Sequence, residues 1–149
     1  MTIYIGADHR GYELKEKLIA FLGSEGFEVE DMGAYEHDPS DDYPDFILPV
    51  AEAVSKDPFS NQGIVLGRSG QGEAMAANRV RGVRAAVFYG GDDEVVKLSR
   101  VDNNANVLSI GAGFVSEEEA KKVVLKWLEY DFSEEERHER RIKKIEEYN

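Results

Sequence analysis

The densest chemistry in the chain lies in Gly67-Arg68-Ser69-Gly70-Gln71-Gly72-Glu73, between an apolar run and a helix-period segment. Glycines permit a tight turn and close approach of a ligand. The free N–H groups of a helix start can hold an anion. Glu73 falls in the first helical turn, where a carboxylate could take a proton from a carbon next to a carbonyl while the N–H groups stabilise the resulting enediolate. A plainer reading stands beside this one, because Gly-rich strand–helix turns are common and Glu is favoured in first helical turns. Asp8-His9 follows Ile3-Tyr4-Ile5, and Asp8 either faces a ligand or caps the next helix. Arg137 and Arg141 are four apart and share one helical face. Two guanidinium groups there suit a phosphate, or else pair with Glu134, Glu136 or Glu139. His37 in an acidic loop and His138 among the charges of the last helix are expected at the surface.

Composition narrows the classes. The net charge of the 149 residues is −12, which excludes general nucleic-acid binding, since that needs a basic face. It leaves an anionic small substrate possible, because a few converging arginines make a local positive pocket. Much of the acidity lies in 38–45, 92–94, 117–119 and 134–136, expected on solvated faces or at helix N-termini. No apolar run is long enough to span a bilayer. No secretory segment is legible, and the chain is expected to be cytoplasmic. With no cysteine, disulfides and thiolate chemistry are closed. Neither a metal nor a cofactor is expected.

Those residues need elements to hold them. Short apolar runs alternate with helix-period segments. Strands are expected at 3–5, 27–29, 63–67, 84–88 and 106–110. Between them, helices are expected from Leu14 to about Gly23, after Pro44, from about Gly70 to Asn78, and within 91–102. Pro49 predicts a kink or a late start in the second helix. Ser116 and Glu119 form a capping box for a helix through Tyr130, and a highly charged helix follows over 133–148. The alternation predicts a single α/β domain over 1–149, a three-layer Rossmann-like sandwich with a five-stranded parallel sheet in order 2-1-3-4-5 and an added C-terminal helix. Ligands of such sheets bind beyond the carboxyl ends of the strands. Asp8-His9, the turn from Gly67 to Glu73 and Gly111–Gly113 belong there, and the helix before the last strand is expected to deliver Asp102-Asn103 to the same place. The last helix, with few apolar residues, is expected to lie against another subunit (132–149).

Several separated motifs, in order, resemble one family. They are Ile5-Gly6-Ala7-Asp8-His9-Arg10-Gly11-Tyr12-Glu13-Leu14-Lys15, Asp42-Tyr43-Pro44-Asp45, Gly70-Gln71-Gly72, Ala76-Ala77-Asn78-Arg79, Asn103-Asn104-Ala105-Asn106-Val107 and Arg137-His138-Glu139-Arg140-Arg141. Together they resemble the ribose-5-phosphate isomerase B family, which includes galactose-6-phosphate isomerase subunits. The resemblance implies an aldose–ketose isomerase of a phosphorylated sugar, ribose 5-phosphate first. It implies a homodimer, or a dimer of dimers, with sites built from both subunits. Asp8 and Tyr43 would contact sugar oxygens, and His9, Arg137 and Arg141 the phosphate, the arginines arriving from the partner. Gly67, Gly70, Gln71 and Gly72 would form the anion hole with Ser69 assisting, and Asn103 would contact substrate. One branch of the family has a cysteine where this chain has Gly67, and the other a glutamate in Ser-Gly-x-Gly-Glu. Ser69-Gly70-Gln71-Gly72-Glu73 resembles the glutamate branch. Asp102 stands where the family usually has a ring-opening histidine, and either performs that step or marks a shorter, non-cyclising sugar phosphate. Gly113 stands where an arginine is often found. A sugar-phosphate-binding protein without catalysis is the alternative from another class, and the intact Glu73 speaks against it. A nucleotide- or flavin-binding protein is disfavoured by the absence of G-x-G-x-x-G in the first turn.

Overall fold

The structure is a computed structural model that describes residues 1–148. Eleven elements follow one another: β1 (Ile3–Ala7), α1 (Tyr12–Ser24), β2 (Val29–Asp31), α2 (Pro44–Ser55), β3 (Gln62–Gly67), α3 (Gln71–Ala77), β4 (Ala85–Phe88), α4 (Glu94–Val101), β5 (Val107–Gly111), α5 (Glu117–Glu129) and α6 (Glu136–Glu146). All strand pairs are parallel. Successive side chains of a strand point to opposite faces. Ile64 and Leu66 therefore join Ile3, Ile5, Leu108 and Ile110 under α1, α4 and α5, where Leu18, Leu22, Val96, Val123 and Trp127 close the larger core. Val65 and Val107 face the other way, under Ile47, Val50 and Val54 of α2 and Ala77 of α3. That makes the expected three layers.

The strand order is β2-β1-β3-β5-β4, which corrects the expected 2-1-3-4-5. Burial explains the exchange. β5 is buried at every position, whereas three of the four residues of β4 are only half-buried. The longer strand, with Val107, Leu108 and Ile110, takes the centre, and the four-residue strand takes the edge, where exposure costs least. β5 also fixes its own place beside β3, because Ser109 Oγ donates to the Gly70 carbonyl at 2.6 Å.

Other boundaries shift slightly. β2 is Val29–Asp31, displaced towards the acidic residues from the expected 27–29. α2 begins at Pro44, where a missing N–H is harmless, and runs through Pro49 to Ser55. Burial of Ile47, Val50, Ala51 and Val54 holds that helix together across the proline. Ser116 Oγ accepts from the Glu119 N–H at 3.1 Å, as the capping box requires.

Candidate active site

The turn from Gly67 to Glu73 is shaped by contacts on both sides. The last residue of β3, Gly67, pairs with Gly111 of β5. The Ala112 N–H donates to the Gly67 carbonyl at 2.8 Å, and the Gly113 N–H to the Arg68 carbonyl at 2.9 Å. Gly70 then enters α3 at φ +78°, a conformation a side chain would strain. Ser69 Oγ accepts from the Gln71 N–H at 3.3 Å.

This geometry turns Glu73 back over the end of β3. Its side chain is buried, with the residue only 5% exposed. A methyl group on Gly67 would lie 1.8 Å from Glu73 Oε1, so the absent side chain is the room the carboxylate fills. A cysteine at that position and a glutamate at 73 would thus put their reactive atoms in one place. Burial pushes the Glu73 carboxyl above its ordinary value. The negative charge of Asp8 adds to the rise, while the backbone amides of Glu73 and Gly70 pull the other way. Tyr43, just before α2, lays its ring and hydroxyl over Gly72, where a methyl would be 2.8 Å from either.

Asp8 lies at the end of β1, alongside β3, and is 6% exposed. Its Oδ1 accepts from the Arg10 and Gly11 N–H groups at 2.9 and 3.3 Å, so it holds the loop before α1 rather than capping the helix, whose N-cap is Gly11. His9 Nδ1 lies 2.6 Å from Asp41 Oδ1. Asp41 was expected among the solvated acids of 38–45. Its side chain is instead only 7% exposed, because the loop folds it onto His9. Among the described residues, Asp8, His9 and Asp41 form one group whose ligand atoms lie within 4.8 Å of one another. The histidine and Asp41 are already bonded to each other, and Asp8 to backbone amides.

Asp8, His9, Tyr43, Gly67, Ser69, Gly70, Gln71, Gly72 and Glu73 thus gather at the carboxyl ends of β1 and β3. Asp102, Asn103, Arg137 and Arg141 do not join them. α4 returns antiparallel to the strands, so its end lies at the amino edge of the sheet, which corrects the expected delivery of Asp102-Asn103 to the carboxyl edge. Gly63 N–H donates to the Asn106 carbonyl at 2.8 Å, and Arg84 Nε to the Asn104 carbonyl at 2.7 Å, which fixes that end. At about 3.3 Å per residue, the five steps of β3 separate the two edges by roughly 16 Å.

The last helix docks at the same amino edge. Arg84 pairs with Glu146 at 3.0 Å. Ser133 N–H donates to the Val101 carbonyl. His138, expected at the surface, is 6% exposed, with Nε2 3.5 Å from Asp102 Oδ1. The helix turns this one ring inwards because α4 ends beneath it. Arg137 is exposed and pairs with Glu135 at 2.9 Å, and Arg141 is exposed.

Two residues went unnoticed as site candidates in the sequence. Asp41 sits in a run of acids with no signal of its own. Arg68 leaves the turn across Gly113, where a methyl would meet its Cγ at 3.1 Å, so its path depends on a glycine 45 residues away.

Known proteins share this fold. A family model described as Ribose/Galactose Isomerase matches residues 3–145. Ribose-5-phosphate isomerase B of Mycolicibacterium paratuberculosis is 41% identical over 148 residues, covering 99% of this chain and 91% of the relative. D-erythrulose-4-phosphate isomerase of Pectobacterium atrosepticum is 35% identical over 135 residues, covering 89% and 85%. The crystal structure of ribose-5-phosphate isomerase B from Mycoplasma genitalium with bound ribulose-5-phosphate superposes with a TM-score of 0.94 at 39% identity, covering 99% of this chain and 95% of that one. Motifs, fold and near-complete coverage agree: the chain belongs to the Ribose/Galactose Isomerase family.

Proposed function

We propose that the chain interconverts ribose 5-phosphate and ribulose 5-phosphate through an enediolate, with Glu73 as the base. The observation that carries this is the buried Glu73 carboxylate, held above its ordinary pKa over Gly67 at the edge of the sheet. A base so raised has more affinity for the C2 proton than a solvated carboxylate. Amides of the turn from Gly67 to Gly72 stabilise the enediolate oxygen, with Ser69 assisting, and Asp8 and Tyr43 take sugar hydroxyls. His9 contacts the phosphate.

Asp102, Asn103, Arg137 and Arg141 serve the Glu73 of a second copy. The separation of the two sheet edges supports this reading, because residues so far apart in one chain cannot meet on one pentose. The working unit is then a homodimer whose segment 132–149 contributes to the partner's site.

A second substrate has an observation of its own. Asp102 stands beside His138 where the family usually has a ring-opening histidine. A tetrose phosphate, which does not cyclise, needs no such group, and the Pectobacterium relative is named for one. Incubation with a panel of aldose phosphates, read by NMR for ketose formation, decides between them. Turnover of the tetrose phosphate alone overturns the ribose reading, and turnover of none overturns the isomerase.

A further inference from the structure

We infer that Asp41 is a positioning residue that holds the His9 ring for the phosphate of the substrate. The inference rests on the assignment of His9 to phosphate given above and deepens that site.

Two bonds from one residue converge on one oxygen. The His9 backbone N–H donates to Asp41 Oδ1 at 3.1 Å, and Nδ1 approaches the same oxygen at 2.6 Å. A carboxylate oxygen can only accept, so Nδ1 carries a proton here. The bond therefore fixes the tautomer as well as the ring plane. The remaining ring nitrogen, Nε2, is left as the polar end of a ring that is 20% exposed, against 7% for the Asp41 behind it. That is a hold from behind with a free edge in front.

The second oxygen of Asp41 supports the same conclusion. Oδ2 is buried and has no hydrogen-bond partner in the protein. An unpartnered buried carboxylate oxygen is costly, and nothing in the local fold needs it. It lies in a loop that reaches His9 across 32 residues. With a second proton on Nε2 the ring would balance the carboxylate charge and offer an N–H donor to a phosphate oxygen. Groups facing His9 from its surroundings are Asp41, Asp38, which the Ser40 hydroxyl and amide chiefly hold below its ordinary value, and His37 itself, edge-on at 6.2 Å. Asp8 precedes it, just beyond β1. These are mainly anions, so without a fixed orientation the ring would be free to turn towards them rather than towards an incoming phosphate.

The test uses the intact protein and inorganic phosphate as the probe. In wild type, saturation with phosphate shifts the His9 Nε2 resonance, while Nδ1 keeps the signature of a protonated donor. Asp41→Asn raises KM and the phosphate inhibition constant together by about tenfold, the loss of a charge-assisted contact, with kcat within about threefold. In a His9→Ala background the same substitution adds less than about twofold, since its effect passes through the ring. Three results overturn the inference: a His9 resonance indifferent to inhibitory phosphate, an Asp41→Asn penalty undiminished in His9→Ala, or a loss confined to kcat. The wild-type titration stands even if the variant fails to fold. Absence of isomerase activity with the phosphate response intact would overturn the proposed function and leave Asp41 its role.

Discussion

The Glu73 carboxyl is held where its charged form is disfavoured, and that has consequences in both activity and stability. A base must be ionised, so kcat/KM should fall as pH drops through a titration above the usual carboxylate range, not at it. Glu73→Gln should keep the fold and lower kcat by on the order of 10²–10⁴-fold, and solvent exchange of the substrate C2 proton should vanish with it. Exchange at the wild-type rate would move the base elsewhere. Stability should change in the opposite sense. An acid whose folded pKa is raised adds stability below its unfolded pKa and loses it as pH rises through the folded one. Glu73→Gln should therefore melt higher than wild type at neutral pH, with the difference closing in acid, as a pH series of melting curves would show. Gly67→Ala tests the same position sterically. Its methyl cannot coexist with Oε1 at 1.8 Å, yet the obstructing atom ends a flexible side chain. The carboxylate should swing out, so that activity falls towards that of Glu73→Gln while unfolding in urea changes little.

At the scale of elements, the turn that carries Glu73 is held by a neighbouring strand as well as by its own residues. Ser109 of β5 is fully buried and donates to the carbonyl of the left-handed Gly70 at 2.6 Å. Ser109→Ala removes one of that carbonyl's two donors and leaves the Ala74 N–H at 3.1 Å, at a cost of about 1 kcal/mol. Ser116→Ala removes the cap of α5 at a cost of about 1 kcal/mol. Both should lower the urea midpoint. Only Ser109→Ala should also lower kcat, since it loosens the entry to α3, and equal kinetic effects would mean that the turn does not depend on β5. The helices themselves were legible in the sequence. Apolar spacing marked α1, α2 and α4, and Ser116 with Glu119 marked the start of α5. The uninterrupted passage of α2 through Pro49 was not, because side-chain burial on the sheet outweighs a local penalty.

The whole molecule places its expected phosphate arginines at the wrong edge for its own Glu73, and this makes assembly testable. Sedimentation at micromolar concentration should show no major monomer. A chain ending at Asp131 should lose activity even with the sheet intact. Complementation is sharper. Glu73→Gln and Arg141→Ala are each expected to be impaired, but a refolded equimolar mixture should recover about a quarter of wild-type activity, because half the dimers are mixed and each contains one intact site. No recovery would mean that both residues act within one chain.

The sequence alone marked the turn from Gly67 to Glu73 as the densest chemistry, and it determined where most of the strands and helices fall and that the sheet is parallel. These follow from periodicity and motif order, which are properties of neighbours along the chain. It also closed the thiolate route, since the chain has no cysteine. Tertiary structure decided what depends on contacts between distant segments. β5 displaced β4 from its expected place because burial, not order, selects the central strand. Asp102 and Asn103 went to the amino edge because a helix returning from an edge strand ends there. His138 turned inwards over Asp102, and Asp41 left its acidic run to hold His9, because in each case the deciding partner lies more than thirty residues away, beyond the reach of any local pattern.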